Sequence, residues 1–179
     1  ENLIKQGHKV TIFCASSVHN SNENIDTDNQ KFKSTEVNGI SFVFVKTPNY
    51  LGNGINRIKN IFTFYLRIFP ISKEYAKRYG KPDIILASSV HPLTLVAGIK
   101  IAKKMNVPCI CEIRDLWPEA LIDHGIIKKE SIIAKLLYQG EKWIYKKADK
   151  LIFTMEGGKN YIVDKGWDTD AGGPIDLTK

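Results

Sequence analysis

Six consecutive residues, Arg114-Asp115-Leu116-Trp117-Pro118-Glu119, hold the densest set of chemically capable side chains in the sequence. They place a fixed cation, two carboxylates and a large aromatic directly after the strand-like run 108–113. A guanidinium grips phosphate or carboxylate through two parallel donors. An aspartate accepts hydroxyls or acts as a base, and an indole offers a flat apolar face for a sugar ring. The same residues also suit a plain Arg–Asp ion pair, with Trp117 in the core and Pro118 opening a helix. The residue types alone leave both readings open.

Two further segments carry weaker signals. Ser88-Ser89-Val90-His91-Pro92 follows the strand-like run 83–87. Pro92 suits the first position of a helix, where its missing N–H costs nothing. The helix start and two hydroxyls form either a mild anion or sugar-hydroxyl site or a plain cap beside a solvated histidine. Thr154-Met155-Glu156-Gly157-Gly158 follows the run 151–154. A carboxylate next to two glycines either approaches a ligand closely or lies in an ordinary turn. Asp168-Thr169-Asp170 fits a D-x-D cation-binding pattern, but no apolar strand precedes it, and that reading is rejected. The sequence contains no G-x-G-x-x-G, no Walker loop and no zinc-ligand spacing. The four histidines, His8, His19, His91 and His124, give little support to a hydrolytic triad.

These segments follow strands in a regular rhythm. Runs 83–87, 108–113 and 151–154 read as strands, and 93–104, 130–147 and 158–165 read as helices. That alternation predicts right-handed βαβ units and a doubly wound, mostly parallel, Rossmann-like sheet, with ligands beyond the carboxyl ends of its strands. Short, wholly apolar strands such as Ile84-Ile85-Leu86 imply cover on both faces. Upstream, 9–14 reads as a buried strand and 19–30 as a polar surface loop. Asn38-Gly39 is the dipeptide of a two-residue hairpin with positive φ at both positions. Ile55, Ile58, Phe62, Tyr65, Leu66 and Phe69 repeat at helical spacing. Pro70 is expected to end or kink that helix, with a second piece at 72–79 closing at Gly80. We read 1–179 as one domain. The opening residues read as the end of a helix leading straight into a strand, which implies an earlier strand and loop before residue 1.

The 179 residues are 43% hydrophobic and 25% charged, which is the make-up of a globular domain rather than a disordered or membrane-spanning chain. No signal-peptide pattern and no apolar stretch of bilayer-spanning length is present. The net charge of +7 favours anionic partners. Seven bases (Arg57, Lys59, Arg67, Lys73, Lys77, Arg78 and Lys81) are opposed only by Glu74 in their stretch and are interleaved with aromatics. Such a helix suits an anionic membrane surface or simply a core-packed helix with a solvated basic face; nucleic acid is the weaker reading, because no reading helix accompanies the charge. Three cysteines, Cys14, Cys109 and Cys111, form no disulfide framework and read as reduced thiols in or near the core, which suits a cytosolic protein.

At the Arg114 cluster the sequence resembles glycosyltransferase family 4 (group 1) of the GT-B fold, in its WbuB-like branch of O-antigen and capsule synthesis. The resemblance rests on residues 1–11 (ENLIKQGHKVT), 83–92 (DIILASSVHP), Arg114-Asp115-Leu116-Trp117-Pro118-Glu119, Ala148-Asp149-Lys150-Leu151-Ile152 and 154–159 (TMEGGK). It implies the N-terminal, acceptor-binding half of a retaining transferase. Such an enzyme moves a sugar from a nucleotide-sugar, UDP-linked on this reading, to a polyprenyl-diphosphate-linked saccharide, with no cofactor and no obligatory metal. It further implies a Gly-rich loop before residue 1, a donor-binding domain after residue 179, and an inactive chain when this half stands alone. The expected location is the cytoplasmic face of the inner membrane, contacted through the basic helix 55–79, with no nucleic acid partner. Asp115 matches the family position and is assigned as the catalytic residue. Many relatives carry histidine where this chain has Arg114, so Arg114 is assigned to acceptor or phosphate contact only. His91, Trp117 and Glu119 join it on the acceptor, and Ser89, Thr154 and Glu156 line the cleft. The competing readings are a non-enzymatic α/β module for an anionic ligand and a nucleotide-sugar epimerase of the same architecture.

Overall fold

The computed structural model describes residues 2–52, 54–89 and 91–167; Asp168-Thr169-Asp170 lies outside them. The chain divides into two compact units, Glu1–Gly80 and Lys81–Lys179.

In the first unit a short helix, α1 (Asn2–Lys5), leads into β1 (Thr11–Ala15), β2 (Phe32–Val37), β3 (Ile40–Val45) and α2 (Ile55–Tyr79). The sheet order is β1-β3-β2. β1 runs parallel to β3, and β2 pairs antiparallel with β3, Val37 lying opposite Ile40. The turn between them is Asn38-Gly39 at φ 52° and 77°, as the sequence predicts. β1 is less buried than its apolar sequence suggests: Thr11 and Ile12 are exposed, and among the described residues β1 pairs with β3 alone.

Pro70 does not end α2, which runs unbroken across it. Proline removes one intrahelical donor and crowds the preceding turn, at a cost of roughly 3 kcal/mol. The residues around it offset that cost: Ile68 and Ile71 are buried at 6% and 2% exposure, and the helix packs on β3. The buried side of α2 is Asn60, Ile68, Ile71 and Ser72. Asn60 Nδ2 donates to Ser17 Oγ and to the Pro48 carbonyl, each at 2.7 Å, and so ties the helix to the loops that leave β1 and β3.

The second unit contains β4 (Ile85–Ser88), α3 (Pro92–Met105), β5 (Cys109–Ile113), α4 (Glu119–Asp123), α5 (Ile132–Lys147), β6 (Lys150–Phe153) and α6 (Gly158–Asp164). Its sheet is β4-β5-β6, wholly parallel. Each βαβ unit falls where the alternation of apolar runs predicts it. β5 is the central strand; Cys109, Cys111 and Ile113 are at most 1% exposed. Asp149 Oδ2 accepts from the Cys109 N–H at 2.7 Å, satisfying a donor at the strand's start. α3 lies so close to β4 that a Cβ at Gly98 would fall 2.5 Å from Ala87 Cβ. Leu86, on the opposite side of β4, stays 58% exposed, so the expected cover on both faces of this outer strand is not what the described residues show. The sulfurs of Cys109 and Cys111 lie 4.0 Å apart on one face. The hydrogen bond from Cys109, followed by burial, drives the Cys111 thiol far above its ordinary range, and burial pushes Cys14 up to about 11. All three are free thiols. No helix among the described residues is long and apolar enough to cross a membrane.

Candidate functional site

The carboxyl ends of β4, β5 and β6 are laced together by backbone and hydroxyl bonds. Ser89, 2% exposed, donates its N–H to the Glu112 carbonyl at 3.1 Å. Its Oγ accepts from the Arg114 N–H at 3.0 Å. Ser88 Oγ donates to the Glu112 carboxylate beside it in the β4–β5 register. The Thr154 N–H donates to the Ile113 carbonyl at 3.1 Å and extends the β5–β6 ladder by one step. Ser89 and Thr154, expected to line a cleft, therefore fix the backbone that carries Arg114 and Asp115.

Arg114 and Asp115 are both exposed, and among the described residues neither forms an ion pair. A charged side chain held at a strand end by a braced backbone, with its head left to solvent, is available for a ligand. Asp115 and Trp117 share one cavity of about 180 Å³ between α3 and α5, floored by Ile113 and Ile144. Trp117 Nε1 is buried with no hydrogen-bond partner among the described residues. His91 takes the N-cap position of α3 in extended backbone, and Pro92 and Leu93 of the first turn reach the cavity. Glu156 is exposed in the turn before α6, which Gly157 completes at φ 84°.

Glu119 is not brought to that cavity. Its Oε1 accepts from Lys165 Nζ at 2.6 Å, joining α4 to the end of α6. Burial works to raise the carboxyl, but the Lys165 ammonium and the Tyr138 hydroxyl outweigh it and hold Glu119 below the usual carboxylate range.

One carboxylate escaped the sequence reading. Glu141 of α5 is only 4% exposed and lines the same cavity as Asp115. Its two oxygens accept from the hydroxyls of Tyr145 and Tyr161, each at 2.8 Å. Burial pushes the carboxyl up to about 7, against the pull of both tyrosines and of Lys165. A signal was present: Ala134, Glu141, Ile144 and Ala148 fall on one helical stripe, so the glutamate interrupts a core face. Tyr161 also helps to anchor α6, since Trp167 just beyond that helix packs edge-on against Tyr138, Tyr145 and Tyr161.

Residues 1–170 match the family model described as Glycosyltransferase Family 4. The chain belongs to glycosyltransferase family 4. It is 26% identical over 102 residues to the probable glycosyltransferase WbjE of Pseudomonas aeruginosa, a match covering 57% of this chain and 24% of that protein. Among solved structures it resembles the sucrose-phosphate synthase of Thermosynechococcus elongatus with a TM-score of 0.61 and 18% identity, over 96% of this chain and 38% of that one. The likeness shows the α/β fold with parallel sheets of GT-B glycosyltransferases, as expected from the strand–helix alternation. The chain spans about a quarter of the length of the curated relative. Within a family 4 domain, the exposed Arg114-Asp115 pair lies where parallel sheets present their ligand-binding residues, beyond the carboxyl end of a central strand.

Proposed function

We propose that the protein supplies the acceptor-binding side of a retaining glycosyltransferase that moves a sugar from a nucleotide-sugar, UDP-linked on the family resemblance, to a polyprenyl-diphosphate-linked saccharide in surface polysaccharide synthesis. The observation that carries this reading is Asp115: an exposed, unpaired carboxylate at the carboxyl end of β5, over an apolar cavity, in a family 4 chain. Asp115 accepts hydrogen bonds from the acceptor sugar and orients the attacking hydroxyl. Arg114 faces the acceptor's phosphates, and His91 and Trp117 line the acceptor site. Ser89 and Thr154 hold the rim, Glu156 borders it, and Glu119 fixes it through Lys165. Substrate binding and orientation need no cofactor or obligatory metal on this reading. The test is transfer of labelled sugar from UDP-sugars to a polyprenyl-diphosphate-linked saccharide by the whole protein, with the anomeric configuration of the product read by NMR. Retention is expected; an inverted product, or no transfer to any lipid-linked saccharide, removes the proposal.

The membrane side of the proposal rests on α2. Ile55, Ile58, Phe62 and Leu66 recur along one side of the helix and are 51–71% exposed. Lys59, Lys73 and Lys77 are exposed on the same helix. Arg67 and Arg78 contribute less, since Arg67 donates to the Lys46 carbonyl and Arg78 pairs with Glu74. Exposed apolar residues beside lysines suit the surface of an acidic bilayer. Phe62→Glu combined with Leu66→Glu is expected to lower partition into phosphatidylglycerol vesicles at least tenfold in a sedimentation assay, with the melting temperature kept. Equal partition of the variant and the parent would leave α2 without a membrane role.

A further inference from the structure

The outer side of α5 is apolar where a surface helix is normally polar. At about 100° per residue, Ile132, Leu136 and Trp143 fall within about 40° of one line along the helix. They are 76%, 67% and 37% exposed, and Ile133 next to Ile132 is 59% exposed. The opposite side of the helix holds Ala134, Glu141, Ile144 and Tyr145, all buried. α5 therefore carries two apolar faces, one packed in the core and one that the described residues leave uncovered. Single exposed apolar side chains are ordinary on a protein surface; four large ones gathered on one helix side mark an interaction surface.

Cations border the uncovered row. By the same helical spacing Lys135 and Lys146 lie on one flank and Lys147 on the other, all exposed, and the exposed Lys128 and Lys129 precede the helix. The acids between residues 128 and 148 are Glu130 and Glu141, and Glu141 gives both its oxygens to tyrosine hydroxyls on the core side. A second copy of the chain docked on this face would set lysines against lysines. A nucleic acid would match the cations but leave the aliphatic side chains without apolar cover. An anionic bilayer matches both: the aliphatics and the indole enter the boundary between headgroups and acyl chains, while the long lysine stems keep their ammonium groups among the phosphates. The row is straight, lies on the outer side of the helix and spans roughly 16 Å from Ile132 to Trp143, so a flat surface meets it along its whole length.

We propose that α5 is a docking face for an acidic lipid bilayer, with Ile132, Ile133, Leu136 and Trp143 entering its surface and Lys135, Lys146 and Lys147 meeting its phosphates. Leu136 belongs both to this row and to the lining of the cavity that Asp115 borders, so docking places the bilayer next to the candidate site. The inference needs neither the transferase reading nor the membrane role given to α2, which belongs to the other unit; it stands on the residues of α5.

The test follows the whole protein by sedimentation with vesicles of phosphatidylglycerol or phosphatidylcholine, and by tryptophan emission with phosphatidylglycerol brominated in its acyl chains. The parent is expected to partition into phosphatidylglycerol at least tenfold better than into phosphatidylcholine. Ile132→Glu combined with Leu136→Glu should lower that partition at least tenfold, and Lys135→Gln, Lys146→Gln and Lys147→Gln together should bring it down to the phosphatidylcholine level. All five side chains are exposed, so both variants should melt with the parent. The brominated lipid should quench the parent's emission, and Trp143→Phe should abolish the quenching; α2 contains no tryptophan, so this signal reports α5. Partition of the glutamate pair equal to the parent's, quenching that survives Trp143→Phe, or a dimer in light scattering that the glutamate pair dissolves overturns the inference. Partition that falls in Phe62→Glu with Leu66→Glu but not in the α5 pair keeps the role of α2 and removes this one, and the opposite result keeps α5 and removes α2.

Discussion

Asp115→Ala is expected to cut sugar-transfer turnover at least tenfold, about 1.4 kcal/mol of transition-state stabilisation, and to leave the protein as stable as the parent. The two halves of that expectation have separate causes. Asp115 is exposed and forms no ion pair among the described residues, so removing its carboxylate leaves no buried partner unsatisfied and stability should move by no more than about 0.5 kcal/mol. Its backbone is held independently, since Ser89 Oγ accepts from the N–H of Arg114 just before it. The loss therefore falls on the ligand. A carboxylate that orients an attacking hydroxyl acts most strongly as the bond forms, so kcat should fall more than KM rises. Asp115→Asn separates charge from shape: it keeps an acceptor oxygen and should recover part of the acceptor affinity but little turnover. Steady-state kinetics of the whole protein with a lipid-linked saccharide, alongside thermal melts, make the measurement. Turnover of the alanine variant equal to the parent would take Asp115 out of the site.

The parts of this fold that were legible from sequence are those that short-range chemistry decides. Asn38-Gly39 dictates a hairpin because both positions accept positive φ, and the register Val37 opposite Ile40 follows. The βαβ rhythm and the helix start at Pro92 came from spacing and from proline's fixed φ. Pro70 does not end the helix because its cost is local, whereas the burial of Ile68 and Ile71 that offsets it depends on a sheet formed far away in the chain. Leu86 misled because an apolar residue in a strand does not reveal which side of an outer strand goes uncovered. At the candidate site, residue type alone did not reveal which partners each side chain takes. Glu119 turns to Lys165, 46 residues away, and Ser89 spends its hydroxyl on a backbone N–H. Glu141 was missed because its partners, Tyr145 and Tyr161, become neighbours only once α6 is packed on α5.

Replacing Glu141 should reveal the cost and the use of that buried carboxyl separately. Its folded pKa of about 7 stands above an ordinary value of 4.5. Below pH 4.5 the group is protonated whether the chain is folded or not, and it contributes no pH dependence. Between pH 4.5 and 7 the unfolded chain releases the proton while the folded one keeps it, so stability falls as pH rises; above pH 7 the full loss persists. Each tenfold difference in proton affinity between the folded and unfolded chains is worth about 1.4 kcal/mol, so the whole loss is on the order of 3 kcal/mol. Glu141→Gln does not titrate, yet it retains an oxygen and an N–H for the two tyrosine hydroxyls. Comparing it with the parent cancels the other ionisable groups, including Glu119 and Lys165, which face Glu141 electrostatically. Relative to the glutamine variant, the parent should lose roughly 6–12 °C of melting temperature between pH 4.5 and 8, at about 2–4 °C per kcal/mol for a chain of this size. Glu141→Leu tests the other side. It removes the acceptor from Tyr145, a residue only 1% exposed, and stranding a buried hydroxyl costs about 1–3 kcal/mol. It should therefore melt below the glutamine variant at every pH and loosen α6, which begins directly after the turn bearing Glu156. Calorimetric melts of the three proteins at pH 4.5, 6 and 8 decide it. Identical pH dependence in the parent and Glu141→Gln would mean that the carboxyl ionises as freely in the folded chain as in the unfolded one, and that the tyrosines hold an ordinary surface glutamate.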